Sequence, residues 1–283
     1  MARDHTLFVM AQDVPWDTGL YSGARRDQVR SKILSIDENA TDATLIVEYP
    51  AGWSRSSPEH LTAHEELLVL SGELEINGQV FGPHHYAFLP AGYVRNTASS
   101  STDCQVLTMY YDAPQVVPGA RTIAHDPALL VEHVNPLTME WDPGLVDPQL
   151  SAGVAIKPLR TDPYTLETSF LYMSPPHRMP PGMAKPQWTH SMVEELFCLS
   201  GTYVWGDCGR MGPGGYAWWR EGVYHGPAGT DVGYLLFVRT INGPLDNIFA
   251  TEKKPFSWNP EYRPQLPERL RSVARGFVEP PLA

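Results

Sequence analysis

Glu65-Glu66-Leu67-Leu68-Val69-Leu70-Ser71-Gly72 returns as Glu194-Glu195-Leu196-Phe197-Cys198-Leu199-Ser200-Gly201, 129 residues further along the chain. Other stretches repeat around it in the same order. Trp16-Asp17-Thr18-Gly19-Leu20 returns as Trp141-Asp142-Pro143-Gly144-Leu145 at an offset of 125. Gly82-Pro83-His84-His85-Tyr86-Ala87 returns as Gly212-Pro213-Gly214-Gly215-Tyr216-Ala217 at 130, and Gly92 matches Gly222 at that same offset. Matches that keep their order while the offset drifts so little identify a duplicated unit. The expected division is 1–121 and 122–283. The stretch 112–121, broken by Pro114 and Pro118-Gly119, would be the linker.

Each unit reads as short strands closed by Gly- and Pro-containing turns. Ala43–Tyr49 and 167–173 are β-rich runs. The segments 66–70 and 195–199 are strands ending at Ser-Gly turns. Val80 to Leu89 and Arg210 to Trp219 each place a Gly-Pro turn before an aromatic-rich strand, and 105–111 and 233–240 are apolar strands. Helix is expected only around 126–133 and 267–274. The composition agrees: of 283 residues, 23 are glycine and 27 proline, while only 19% are charged. Hydrophobic residues make up 42%, enough for a substantial core. The fold class is therefore all-β.

Charge and cysteine usage exclude several functions. The net charge is −11, and no basic run exceeds the pair Arg25-Arg26, which argues against nucleic acid as a partner. No apolar run approaches the ~20 residues that span a bilayer, and the N-terminal stretch is too short for a signal-peptide core. The expectation is a cytoplasmic protein with no membrane partner. Cys104, Cys198 and Cys208 form neither an even set nor a CxxC pair, so reduced, buried thiols are expected.

The pattern Glu-x6-Gly, followed by Pro-x-Gly-x-x-His or its variant, resembles the two motifs of the cupin superfamily. The acidic doublet in the first motif is similar to the ChrR-type cupins. The resemblance covers nearly the whole chain and implies two tandem cupin barrels, that is, double-stranded β-helices or jelly rolls. It also implies one divalent metal per barrel, held by His-x-His-x(3,4)-Glu and a histidine of the second motif.

Carried over residue by residue, the resemblance gives unequal halves. In the second unit His190 and Glu194 fill the second His and the Glu of the first motif, and His225 stands three residues after Gly222. Trp188 occupies the slot of the first His, and Gln187 is a candidate weak fourth ligand. Two imidazoles and one carboxylate suit Fe(II), with Zn(II), Mn(II) and Ni(II) as alternatives. In the first unit His60 and Glu65 match the longer spacing, with His64 as a further candidate. Arg95, however, stands where the second-motif histidine would be. Arginine does not ligate a cation, so an Arg95–Glu65 pair in place of the metal is expected there.

If Glu194 faces inward, alternation sends Leu196 and Cys198 the same way and Glu195, Phe197 and Leu199 to the other face. Glu195 and Tyr224, adjacent in sequence to the ligands, are the candidate catalytic residues, with Tyr224 as a proton donor. Aromatic residues crowd the second half and suggest a pocket for an apolar or aromatic small molecule. The Pro-rich run 175–183 is a candidate rim, with His177 and Arg178 able to meet an anionic group, and the tail 251–283 is expected to wrap a neighbouring barrel or subunit. The expected function is a cupin metalloenzyme, a non-haem Fe(II) dioxygenase first, acting on a small aromatic or enolisable substrate. A Zn- or Mn-dependent hydrolase, lyase or isomerase, a non-catalytic metal-binding sensor and a metal-free storage-type protein are the alternatives. A homodimer is expected, because jelly-roll sheets keep edges that need covering.

Overall fold

The computed structural model describes residues 3–17, 26–37, 42–119, 124–147, 153–177, 179–180, 182–206 and 208–278. The repeat seen in the sequence appears as the same sheet built twice. In the first unit six antiparallel strands run in the order Val131–Val134, Tyr86–Leu89, Glu65–Ser71, Cys104–Tyr110, Ala43–Tyr49, Arg30–Ile36. In the second the order is Thr6–Met10, Gly215–Trp219, Val193–Gly201, Tyr234–Ile241, Thr168–Ser174, Ala155–Thr161. A smaller sheet completes each unit: Ser54–Arg55, Ala98–Ser99, Leu74–Ile76 and Gln79–Phe81 in the first, and Gly209–Met211, Tyr203–Trp205 and Ala228–Gly229 in the second. This is the expected all-β architecture of two cupin barrels.

Side-chain alternation fills the two cores. Leu67 and Val69 pack with Leu45, Val47 and Val106 in the first unit, and Leu196 and Cys198 with Leu236 and Val238 in the second. Both sets share parity with the first glutamate of their doublet, so Glu65 and Glu194 point into the barrels as expected. Gly72 and Gly201, which close the repeated motif, both have φ of +74°. A Cβ at Gly201 would stand 2.0 Å from the Gly233 carbonyl oxygen, and one at Gly72 2.2 Å from that of Asp103. Only glycine fits this turn.

The division of the chain differs from the expected one. The compact units are Met1–Asp4 with Pro15–Met139, and His5–Val14 with Glu140–Ala283. Thr6–Met10 hydrogen-bonds to Gly215–Trp219, while Val131–Val134, 125 residues later, bonds to Tyr86–Leu89. Each repeat thus lends its first strand to the unit built by the other repeat. Ladder hydrogen bonds, rather than proximity along the chain, decide membership, and the boundary moves from 121/122 to 139/140.

Three local expectations need correction. The segment 126–133 is a turn leading into the strand Val131–Val134, not a helix, because pairing with Tyr86–Leu89 overrides local propensity. The expected linker contains a strand, Val116–Pro118, paired with Glu59–Leu61. The described part of the tail lies along its own second unit: Ile248–Pro255 pairs with Ala184–Thr189, the Tyr262 hydroxyl donates to the Phe8 carbonyl, and Gln265 bridges to Leu7. A short helix, Glu268–Arg271, does form where one was expected. The three cysteines are free and buried. Among the described residues no helix is long and apolar enough to cross a membrane.

Candidate metal centre

The end of the strand Ala184–Thr189 and the start of Val193–Gly201 bring His190 and Glu194 to one end of the second barrel. His225 arrives through a backbone bridge to Trp188. Their ligand-type atoms converge. Glu194 Oε2 lies 3.5 Å from His190 Nε2 and 3.4 Å from His225 Nε2, and the two Nε2 atoms are 3.2 Å apart. Both histidines are buried. Among the described residues this is the one His/Cys/Asp/Glu group with metal-holding geometry.

The other nitrogen of each ring settles its tautomer. His190 Nδ1 meets the Asp246 carbonyl, and His225 Nδ1 meets the Val223 carbonyl at 3.1 Å. A carbonyl only accepts, so each Nδ1 carries the hydrogen and each Nε2 turns a lone pair to the centre. Three ligand-type atoms within 3.5 Å of one another, on two imidazoles and a carboxylate, can share one cation, so the residues fit a divalent metal. The charges agree. Burial alone would lower the His190 pKa, but Glu194 and the Asp246 carbonyl outweigh it and raise it. Burial would raise that of Glu194, yet the two imidazoles hold it far below the usual carboxylate range.

The His225 ring is fixed by indoles. Trp219 stacks on it at 4.8 Å and 18°, while Trp188 and Trp205 meet it edge-on at 5.3 and 5.9 Å. Trp188, in the slot where the resemblance expected a first histidine, therefore packs against the ligand instead of supplying one. Gly226 makes this fit possible, since a Cβ there would lie 2.5 Å from the Trp188 ring.

Glu194 opens onto a cavity of about 770 Å³, counting its mouth. Its walls include Phe170, Trp188 and Phe249 together with the phenols of Tyr172, Tyr203 and Tyr234. Tyr172 and Tyr234 stack at 5.8 Å, and Tyr203 meets Tyr234 edge-on at 4.8 Å. Burial raises the pKa of both Tyr203 and Tyr234 far above the usual phenol value, so these hydroxyls stay protonated. His177 and Lys185 also line the cavity, which puts part of the Pro-rich run at its rim; Arg178 lies outside the described residues.

Three of the sequence candidates do not join the centre. Tyr224 is 50% exposed while its neighbour His225 is buried, so the chain turns the imidazole inward and the phenol to solvent. Glu195 faces the opposite side of its strand, where it accepts hydrogen bonds from Tyr216 and Arg239; its role is a buried ion pair. The Gln187 amide donates to the Gly226 carbonyl at 2.9 Å, and Gln187 is not among the residues lining the cavity.

In the first unit the described residues at the corresponding positions are different. The bridge Glu59–Arg95 occupies the register of Trp188–His225. Counting from it, Leu61 holds the place of His190, and Arg95 that of His225. Arg95 ion-pairs with Glu65, as expected, and Tyr110 donates to the same carboxylate at 3.2 Å. His60 is one residue out of step with Leu61, so alternation turns it to the other face. His64 is spent elsewhere: its Nδ1 accepts from the Ala91 N–H at 3.0 Å, and its ring packs against Phe88 and Tyr111.

Several contributors escaped the sequence reading. The Asp246 and Val223 carbonyls act through backbone atoms that any residue supplies. Lys185 and Tyr234 carry no motif. The parity of Tyr234 with Leu236 and Val238 would have placed it inward, but nothing marked it as facing the same cavity as Glu194.

Residues 5–113 match the family model described as the ChrR cupin-like domain. None of the curated proteins matches the chain. Among solved structures, a candidate dioxygenase from Nostoc punctiforme is similar over 90% of this chain and 91% of that one, with a TM-score of 0.74 and 18% identity. A variant of oxalate decarboxylase from Bacillus subtilis aligns over 87% of this chain and 80% of that one, at a TM-score of 0.52 and 12% identity. The 7S globulin of Momordica charantia aligns over 86% and 85%, at 0.52 and 11%. At these identities the likeness is one of fold. With the duplicated sheets and the inward doublet glutamates, the chain has the fold of two tandem cupin barrels, and its residues 5–113 resemble the ChrR-type cupins.

Proposed function

We propose that the second unit is a metal-dependent enzyme, a non-haem Fe(II) dioxygenase acting on a small aromatic or enolisable compound. The observation that supports this reading is the convergence of His190, Glu194 and His225 at the wall of an aromatic-lined cavity. Two imidazoles and one carboxylate with open positions are the donor set of non-haem Fe(II) oxygenases. Bound there, Fe(II) would activate O2 beside a chelating substrate, whereas Zn(II) or Mn(II) would polarise a carbonyl or acidify water.

The chain's own residues do the rest. The Asp246 and Val223 carbonyls hold both imidazoles with Nε2 toward the centre. The aromatic walls exclude water and present flat surfaces to a planar substrate. The protonated hydroxyls of Tyr203 and Tyr234, on the cavity wall, are candidate donors to a substrate oxygen. They replace Tyr224 in that role. The fold likeness to a candidate dioxygenase favours the oxidative reading, and that to a decarboxylase favours the redox-neutral one as the second.

Element analysis of protein purified without added metal tests the first step, with about one metal ion per chain expected. Oxygen consumption by the Fe(II)-loaded protein with 1,3-diketones, hydroxyketones and catechols tests the second. A metal content near zero, unchanged by His225→Ala, overturns the enzyme reading and favours a metal-free storage or sensor role. One metal per chain with no oxygen uptake shifts the reading to hydrolase, lyase or isomerase chemistry.

A further inference from the structure

The cavity beside Glu194 carries an imbalance of charge that the metal centre does not use. Among the described residues its only lining carboxylate is Glu194, which the two histidines engage. Its other ionisable groups are three phenols kept neutral by burial and two bases, His177 and Lys185. His177 is engaged locally, by the Ser174 hydroxyl at 3.3 Å and the Pro175 carbonyl at 3.4 Å.

Lys185 is different. It is half-buried on the strand Ala184–Thr189, three residues before Trp188, and among the described residues its ammonium has neither an ion pair nor a hydrogen bond. Its cross-strand neighbour is another cation, Lys254, which is already paired with Glu252 at 2.9 Å. Burial lowers the Lys185 pKa, and no acid counters that shift. A half-buried cation at a cavity wall with no partner carries a desolvation cost that an incoming anion would offset. A divalent ion held by a single carboxylate would leave the cavity more positive still.

We infer that the cavity takes an aromatic carboxylate, whose ring lies against Trp188, Phe249 and the buried tyrosines and whose carboxylate is bound by Lys185. This deepens the proposed function by naming the substrate class, and it rests on that reading only for the chemistry that follows binding. A planar ring suits the flat aromatic walls. The neutral counterpart of such a ligand would leave the ammonium without its partner.

The test uses a fluorescent probe, naphthalene-2-carboxylate, and its neutral analogue naphthalene-2-carboxamide. Each is titrated into the full chain in metal-free and Zn(II)-loaded form. The carboxylate is expected to bind on the order of tenfold more tightly than the amide in both forms. Lys185→Met should abolish that preference, and Lys185→Arg should restore most of it. Circular dichroism and metal content should stay unchanged in both variants. Equal affinities in the wild-type chain, or no binding of either probe, overturn the inference. So does a preference that survives Lys185→Met but vanishes on metal removal, since the carboxylate would then be read by the metal. A chain that binds no metal yet shows the Lys185-dependent preference overturns the enzyme reading alone.

Discussion

Arg95 ion-pairs with Glu65 in the first unit at the two positions that His225 and Glu194 occupy in the second. One duplicated framework has thus been given two electrostatic solutions. In one, a carboxylate facing the barrel interior is neutralised by a guanidinium from the chain; in the other, it meets two imidazoles with which it could hold a divalent cation.

The first solution makes Arg95 hard to remove alone. Arg95→Met leaves a buried carboxylate uncompensated and is expected to cost about 3–5 kcal/mol. The double change Arg95→Met with Glu65→Leu should recover most of that loss, as read from urea unfolding. A single variant as stable as the wild type would show that Glu65 needs no partner.

The same correspondence predicts how a second metal could be gained. Arg95→His alone should leave the metal content at about one per chain, because Leu61 still holds the place of His190. Leu61→His with Arg95→His should raise it toward two. Element analysis of the purified variants decides this.

The acidic doublets divide their labour, and mutation should separate the two roles. Glu194→Gln is expected to empty the metal site, to less than about a tenth of the wild-type content, while the chain stays folded. Arg239→Met should instead keep the metal and lose about 3–5 kcal/mol, because Glu195 is left buried without its cation. Tyr224→Phe should change neither property, with turnover within about twofold of the wild type.

Acid should weaken the first unit where the exchanged strand docks. His133, on the strand Val131–Val134, lies 2.9 Å from His85 through ring nitrogens, and burial followed by the charge of His85 lowers its pKa; His84 is lowered by the same two causes. Groups with depressed pKa values contribute stability that is present above their unfolded value of about 6.5 and lost as pH falls through the lower folded values. The thermal midpoint of the metal-free chain should therefore fall below pH 6.5, and His133→Gln should flatten that fall. A pH profile unaltered by the variant would remove this pair from the account.

The sequence by itself determined the duplication, the all-β class and the strands close to their final bounds, because alternation and Gly-Pro turns are local signals. The segment Ala43–Tyr49 is a strand over the expected residues, and Glu65–Ser71 and Val193–Gly201 exceed their expected bounds by no more than two residues at either end. It also marked His190, Glu194 and His225 and the replacement of a ligand by Arg95, because a motif fixes which residue stands at each register position. Direction in space is another matter. A doublet does not say what its outward member meets, and Glu195 meets Arg239 and Tyr216 rather than a substrate cavity. His60 fits a permitted spacing but is one residue out of register, a difference that only the bridge Glu59–Arg95 reveals. The exchange of first strands, the carbonyls that orient the imidazoles and the half-buried place of Lys185 on the cavity wall all depend on groups distant in sequence. Ladder bonds, burial and charge pairing form between such partners, and for that reason the tertiary structure alone decided them.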